Sequence, residues 1–119
     1  NADYYKIYLS EVPGARFQKT KSNVLNTHWV NGIVVDPFKY GKTRDELMDF
    51  LKQKGVDTRL FFRGMHQQPS LINYGCNSEG DFSITDWLST NGFYLPSASN
   101  LSKTKIKLIC ELISNFQTL

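Results

Sequence analysis

The chain has 119 residues, of which 40% are hydrophobic and 21% are charged, and its formal net charge is +3. This length fits one domain with its own core, spanning residues 1–119, and the composition excludes a disordered chain. No run approaches the roughly 18 apolar residues of a membrane span, and the scattered basic residues give little support to nucleic-acid binding.

The N-terminal segment has the pattern of a helix. Apolar residues recur at helical spacing over 2–12 and stop at Pro13 and Gly14, which form a turn signal. We therefore predict a helix and then a short strand at 16–18. The polar stretch 19–27 predicts a hairpin or a loop.

Residues 28–36 are rich in aromatic and β-branched side chains and predict a strand that ends before Pro37. A tryptophan in such a strand most often packs in a core or an interface, and a buried asparagine needs a hydrogen-bond partner. Alternatively, the two could line a polar cleft. The period of two places four residues on one face: Trp29, Asn31, Ile33 and Val35.

A helix and a strand are predicted in the middle of the chain. Thr43 and Glu46 fit a capping box, which marks the start of a helix. Gly55 fits its end, where a left-handed residue is needed. The alternating segment 56–62 predicts the next strand, and the turn-rich segment 66–81 is too polar to be core.

Two further helices and a strand are predicted in the C-terminal part. Ser83 and Asp86 resemble a second capping box and predict a helix that ends at Gly92. Segment 93–97, FYLPS, predicts a short strand in which Tyr94 either packs or lines a site. Ser102 is expected to cap the last helix. The apolar face of that helix consists of Ile106, Ile109, Cys110, Ile113 and Phe116.

The order of these elements predicts the fold class. Helices alternate with strands that are too few and too short for a doubly wound sheet. We expect an α/β fold of the α+β type, a two-layer sandwich in which helices cover a small, mainly antiparallel sheet.

Two polar residues near the end of the third predicted strand could carry chemistry. A loop histidine such as His66 is more often surface than catalyst, because acid–base catalysis needs a partner that orients the ring. Arg59 is either a surface cation beside Asp57 or a guanidinium aimed at a carboxylate or phosphate. The residues alone leave both choices open.

The common catalytic motifs are absent. The sequence lacks GxxxxGK[ST], GxGxxG, HExxH, CxxC and GxSxG, so no motif predicts phosphate cradling, metallohydrolysis or serine hydrolysis. Cys76 and Cys110 are too few and too far apart for a zinc site or a disulfide framework. We expect free thiols, no metal, and a cytoplasmic protein.

Two segments resemble a known family. The segment DTRLFFRGMHQQP resembles xTRPFFxPxHxQP of the DegT/DnrJ/StrS-type PLP-dependent sugar-nucleotide aminotransferases. The later segment DFSITDWLSTNGFYLPSASNLS is similar to their FPVSExLxxxGLYLPSxxxLT. The resemblance covers almost the whole chain, but only the C-terminal small domain of an enzyme about three times longer. Leu60 and Gly64 stand where the family has prolines.

The resemblance implies a lid rather than a complete enzyme. In the family, the large N-terminal domain supplies the Schiff-base lysine, an acidic residue at the pyridine nitrogen and the phosphate cup of PLP. We therefore expect PLP in the intact enzyme, no cofactor on this chain alone, and no transamination by it. Asn1 lies inside a helical pattern, which also suggests a domain of a longer protein.

The resemblance also implies site residues and partners. The expected partners are the large domain, a nucleotide-linked keto sugar, glutamate and a second copy in a homodimer. Pro69 and Pro96 are expected to shape the loops around the cleft. The alternative is a free-standing binding or self-association module without enzymatic activity. The residues expected to contact substrate are Arg59, His66, Gln68, Trp29, Asn31 and Tyr94.

Overall fold

A computed structural model describes residues 1–119 and contains helices and one four-stranded sheet. Its elements, with a 3₁₀ turn at Met65–Gln67, are α1 (Ala2–Leu9), β1 (Ala15–Phe17), β2 (Asn31–Val35), α2 (Pro37–Tyr40), α3 (Arg44–Gln53), β3 (Arg59–Leu60), α4 (Pro69–Asn73), α5 (Ser83–Asn91), β4 (Gly92–Leu95) and α6 (Lys103–Phe116).

The sheet is fully antiparallel and has the strand order β1-β2-β4-β3. Ile33 of β2 lies opposite Phe17 of β1 on one side and Phe93 of β4 on the other. The predicted fold class is confirmed, with helices against a small antiparallel sheet.

The core lies on one face of this sheet. In β2 the buried residues alternate, so Asn31, Ile33 and Val35 face inward, as the period of two predicted. They belong to or border one apolar cluster that β4, α1, α3 and α6 complete. Fully burying one large aliphatic or aromatic side chain stabilises a fold by about 1.5 to 3 kcal/mol, so this cluster is the main source of stability.

Two buried tyrosines connect separate elements of the core. The hydroxyl of Tyr5 in α1 donates to the carbonyl oxygen of Pro96, 3.0 Å away, and that of Tyr40 donates to the carbonyl oxygen of Ile113 in α6. Burial raises the pKa of both phenols above the ordinary value. Both groups therefore stay neutral donors at physiological pH.

The two thiols differ in their surroundings. Cys76 is exposed and Cys110 lies in the core, and both are free. Burial, with a smaller effect from Glu111, raises the pKa of Cys110 to about 12.

Two of the three predicted helix caps are confirmed. Thr43 and Glu46 form the reciprocal capping box of α3, and the Ser102 hydroxyl accepts from the backbone N–H of Lys105. The capping box predicted at Ser83 is wrong. The Asp81 carboxylate accepts the Ser83 N–H at 3.0 Å instead, because an aspartate two residues before a free N–H forms this local contact readily.

Three further predictions of secondary structure are also corrected. β2 begins at Asn31 rather than at 28, because His28 has a left-handed φ of 48° that no strand contains. β3 pairs with β4 over two residues rather than across 56–62. Segment 66–81 contains helix α4, although none of its side chains is buried, as its polarity predicted.

The molecule is flat and has a large surface. Its accessible area is 8383 Å², against about 6,600 Å² for a compact monomer of this mass. Its radius of gyration is 15.7 Å, against about 13.5 Å for a compact domain of this length. The helices have at most 14 residues, and none could span a bilayer.

Candidate functional site

The face of the sheet opposite to the core is only partly covered. Paired residues share a face, so Tyr94 of β4 points to the same side as Gly32 and Arg59, its neighbours across the sheet. The ring of Phe61 lies on this face, where a Cβ on Gly32 would approach it to 2.9 Å and one on Gly92 would overlap it. The two glycines therefore make room for the ring of Phe61.

A groove of about 960 Å³ opens between β3, the segment after β4 and α6. It brings together three of the residues expected to contact substrate: Trp29, Arg59 and Tyr94. Several large apolar side chains of this groove are exposed to solvent. We call it the apolar groove and define it by Trp29, Arg59, Leu60, Phe62, Tyr94 and Leu108.

The aromatic residues of the apolar groove are placed differently from the expectation. Trp29 is 78% exposed and precedes the strand rather than lying in it, so core packing is wrong for this chain, whereas packing in an interface stays a prediction. Tyr94 is half-buried, with its ring centre 4.6 Å from that of Phe61 and 5.9 Å from that of Phe62. The ring of Tyr94 is thus held in place by its two neighbours, whereas the side chain of Trp29 extends into solvent at the edge of the groove.

Arg59 lies at the rim of the apolar groove. Its side chain is 82% exposed and its Nη2 lies 3.7 Å from Oδ2 of Asp57, which is equally exposed. Such an ion pair contributes little to stability, because water screens both charges. The guanidinium is thus only loosely paired.

Asn31 is a structural residue of the core edge. It is 5% exposed, and both its backbone N–H and its Nδ2 donate to Oγ of Ser97, at 2.9 and 3.1 Å. Ser97 in turn donates to the carbonyl oxygen of Leu95 at 2.8 Å. The expectation that buried Asn31 needs a partner is confirmed, and this contact joins β2 to the segment after β4.

His66 lies against α5, outside the apolar groove. Its Nε2 lies 2.8 Å from Oδ1 of Asp86, and its ring stacks on Phe82 with 4.1 Å between ring centres. The side chain is only 12% exposed, so the interpretation as an ordinary surface histidine is wrong. Asp86, which also accepts from Gln67, is the orienting partner that the sequence did not reveal.

The structure therefore divides the expected site residues. His66 lines a separate cavity of about 290 Å³. Gln68 lines neither this cavity nor the apolar groove, and it donates to the carbonyl oxygen of Arg63 at 3.4 Å. Sequence reasoning did not pair Asp86 with His66 or Ser97 with Asn31, since the partners are distant along the chain and no local spacing indicates them.

The side chains of this chain do not form a PLP site. A Schiff-base lysine needs an apolar pocket that lowers its pKa, whereas all the lysines are exposed apart from Lys6 and Lys42, which are half-buried. Neither is enclosed by apolar side chains, because Lys6 lies beside His28 and Lys42 over the ring of Phe116. No three His, Cys, Asp or Glu side chains group as metal ligands either. We derive no chemical step through PLP from these residues.

Comparisons with known proteins identify the family. Residues 1–114 match the DegT/DnrJ/EryC1/StrS aminotransferase family. The chain is 29% identical over 116 residues to GDP-perosamine synthase of Vibrio cholerae, covering 96% of this chain and 31% of that protein. The chain thus spans about a third of the length of this relative.

Solved structures agree with the fold. The structure of DesI in the presence of its TDP-sugar product superposes with a TM-score of 0.83 at 25% identity, over 98% of this chain and 29% of DesI. Escherichia coli GDP-4-keto-6-deoxy-D-mannose-3-dehydratase with bound hydrated PLP superposes with a TM-score of 0.80 at 16% identity, over 95% and 29% of the two chains. At that identity the second likeness shows the fold alone.

Proposed function

Because the chain belongs to the DegT/DnrJ/EryC1/StrS aminotransferase family, whose members depend on PLP, we propose that it is the C-terminal domain of a sugar-nucleotide aminotransferase. The observation that carries this proposal is the family match over residues 1–114 in a chain that spans only about 30% of its relatives. A separate large domain would bind PLP, and this chain alone would not transaminate.

The proposed substrates are a nucleotide-linked keto sugar and glutamate as the amino donor. The support comes from the relatives, which include a GDP-perosamine synthase and an enzyme solved with a TDP-sugar product. A dehydratase has the same fold, so the fold alone does not distinguish transamination from dehydration. The proposal of transamination therefore depends on the sequence family rather than on the shape.

The surface around the apolar groove is proposed to face the large domain and to cover the active-site cleft. Its exposed Trp29, Phe62 and Leu60 are large apolar side chains in contact with water, and such patches mark surfaces that bind a partner. The accessible surface exceeds that of a compact monomer by about 1,800 Å², which is more than the roughly 800 Å² that one partner buries in a standard interface. The large domain, within a cytoplasmic homodimer, is the proposed occupant.

Each site residue has a proposed role in this cover. Arg59 holds an anionic group of the substrate at the rim, while Trp29 and Tyr94 exclude water from the cleft. His66 and Gln68 act through the loop that they stabilise. Asn31 fixes the position of the segment that follows β4.

The test uses the protein produced whole from its natural reading frame. We expect PLP absorbance and glutamate-dependent amination of a GDP- or TDP-linked 4-keto sugar. Arg59→Ala should raise the KM for the sugar nucleotide about tenfold, which corresponds to about 1.4 kcal/mol, and Arg63→Ala, an exposed arginine nearby, should leave it unchanged. A whole protein that binds no PLP would refute the proposal.

The second candidate is the self-association module, which the exposed apolar groove also supports. In that case two copies would cover the groove of each other. Size-exclusion chromatography with light scattering should then show a stable dimer of the 119-residue chain. A strictly monomeric chain at high concentration would exclude this candidate.

A further inference from the structure

A second cavity, of about 550 Å³, lies on the open face of the sheet and shares Tyr94 with the apolar groove. Lys6 of α1, Arg16 of β1, Lys19 and His28 line it, and no aspartate or glutamate does. We call it the cationic cavity and define it by these four residues. Basic groups from three separate parts of the chain thus converge on one space.

The charge of Lys6 has no carboxylate partner. Its Nζ lies 3.4 Å from Nε2 of His28, and no carboxylate oxygen lies within 4.0 Å of Lys6 or Lys19. Since a lysine ammonium can only donate, the ring nitrogen of His28 must accept in this contact. The positive charge of Lys6 is therefore held in the cavity without a neutralising carboxylate, an arrangement that an anion would stabilise.

His28 is held in this position by an unusual backbone. Its φ of 48° is the only positive value at a residue other than glycine. The backbone N–H of His28 donates to Oδ1 of Asn26 at 2.9 Å, which fixes the turn. Left-handed backbone at a residue other than glycine costs free energy, and residues held in this conformation cluster at functional sites.

Arg16 and the walls of the cationic cavity complete the arrangement. The guanidinium of Arg16 lies over the ring of Trp87, 5.2 Å from its centre, and its Nη2 is 3.5 Å from Oδ2 of Asp36. These contacts orient the guanidinium, yet more than half of the side chain stays exposed. Phe17 and Trp87 form apolar walls, which strengthen the attraction between charges inside a cleft.

We propose that the cationic cavity binds a phosphate group, with Lys6 and His28 as its direct contacts and Arg16 as an oriented donor at its edge. Arginine and lysine are the side chains that most commonly bind phosphate oxygens. The phosphate belongs either to a nucleoside diphosphate or to free orthophosphate. The nucleotide alternative rests on the proposed function, whereas the phosphate contacts themselves require neither PLP nor a keto sugar.

Isothermal titration calorimetry of the whole natural protein tests this, with guanosine diphosphate and inorganic phosphate as separate probes. Lys6→Gln keeps a good helix former in α1, and His28→Asn keeps a residue that tolerates left-handed backbone. Each change should weaken binding about tenfold. The control Lys52→Gln removes an exposed lysine of α3 that has no ion pair, and should leave binding unchanged.

The two probes separate the two sources of phosphate. Binding of the diphosphate that depends on Lys6 and His28 supports a nucleotide ligand, and binding of orthophosphate alone with the same dependence supports free phosphate. Binding of neither probe, or equal binding in both variants and the unmodified protein, overturns the proposal. If a variant fails to fold, the ¹⁵N shifts of the His28 ring in the unmodified protein decide, because they must move on adding phosphate.

Discussion

Nε2 of His66 lies 2.8 Å from Oδ1 of Asp86, and this contact fastens the 3₁₀ turn at Met65–Gln67 to helix α5. The stacked ring of Phe82 covers the other side of the imidazole, and a Cβ on Gly64 would overlap it. The segment from Phe61 to His66 is therefore held at both ends. The backbone N–H of Phe61 donates to the carbonyl oxygen of Gly92 in β4, and His66 contacts Asp86 in α5.

The first prediction concerns the stability that this contact provides. His66→Ala removes both the stacked ring and the hydrogen bond, so we expect it to lower the free energy of unfolding by about 1 to 3 kcal/mol. Asp86→Asn keeps the shape and an acceptor oxygen, and should cost less. Urea denaturation measures both.

The control for this prediction is Thr90→Ser in the same helix. The Thr90 side chain is exposed and makes no hydrogen bond, so loss of its methyl group should change stability by less than about 0.5 kcal/mol. If His66→Ala behaves like this control, the contact with Asp86 does not stabilise the loop.

The second prediction concerns the ring of Phe61 on the open face of the sheet. A Cβ on Gly32 would meet ring atoms of Phe61 at 2.9 and 3.0 Å, whereas a Cβ by itself favours a strand over glycine. Gly32→Ala should therefore be more favourable by about 1 kcal/mol in a Phe61→Ala background than in the unmodified protein. A double-mutant cycle of unfolding free energies measures this coupling, and a coupling of zero would show that the ring does not need the glycine.

The contacts of His66 and Asn31 show what the sequence could and could not predict. The start of α3 was predictable, because Thr43 and Glu46 lie within one helical turn and satisfy each other locally. The inward face of β2 was predictable from its alternation alone. Asp86 and Ser97 lie 20 and 66 residues from their partners, so only the folded chain brings them together.

The expected site residues lie in two different places for the same reason, because the fold separates residues that are close in sequence. The resemblance to the family identified Arg59 and His66 from one continuous segment, but the chain turns between them. Arg59 stays in the sheet and faces the apolar groove, whereas His66 reaches α5. Nearness in sequence indicated a shared loop without showing which neighbour each side chain contacts.

The third prediction concerns pH. Hydrogen bonds from the Thr43 side chain and backbone hold the pKa of Glu46 below its ordinary value of 4.5. A carboxyl with a depressed pKa stabilises the fold above its unfolded pKa and loses that effect as the pH falls through its folded pKa. The stability difference between the unmodified chain and Glu46→Gln should thus shrink as the pH falls below 4.5.

Denaturation midpoints at neutral pH and in acid measure this difference. Glu11→Gln is the matched control, because Glu11 is exposed and makes neither an ion pair nor a side-chain hydrogen bond. A difference for Glu46→Gln that stays constant across this range would show that the carboxylate charge does not contribute to the cap.

The last prediction tests whether the apolar groove is covered in the whole protein. Trp29 is 78% exposed in this chain, and Trp87 is the only other tryptophan, so Trp87→Phe leaves Trp29 as a single fluorescent reporter. Acrylamide should quench Trp29 strongly in the 119-residue chain at low concentration. In the whole protein, with any tryptophan outside these 119 residues also replaced by phenylalanine, the large domain should shield Trp29 and blue-shift its emission. Equal quenching in both would mean that the apolar groove faces solvent in the assembled enzyme and that the proposed cover lies elsewhere on the chain.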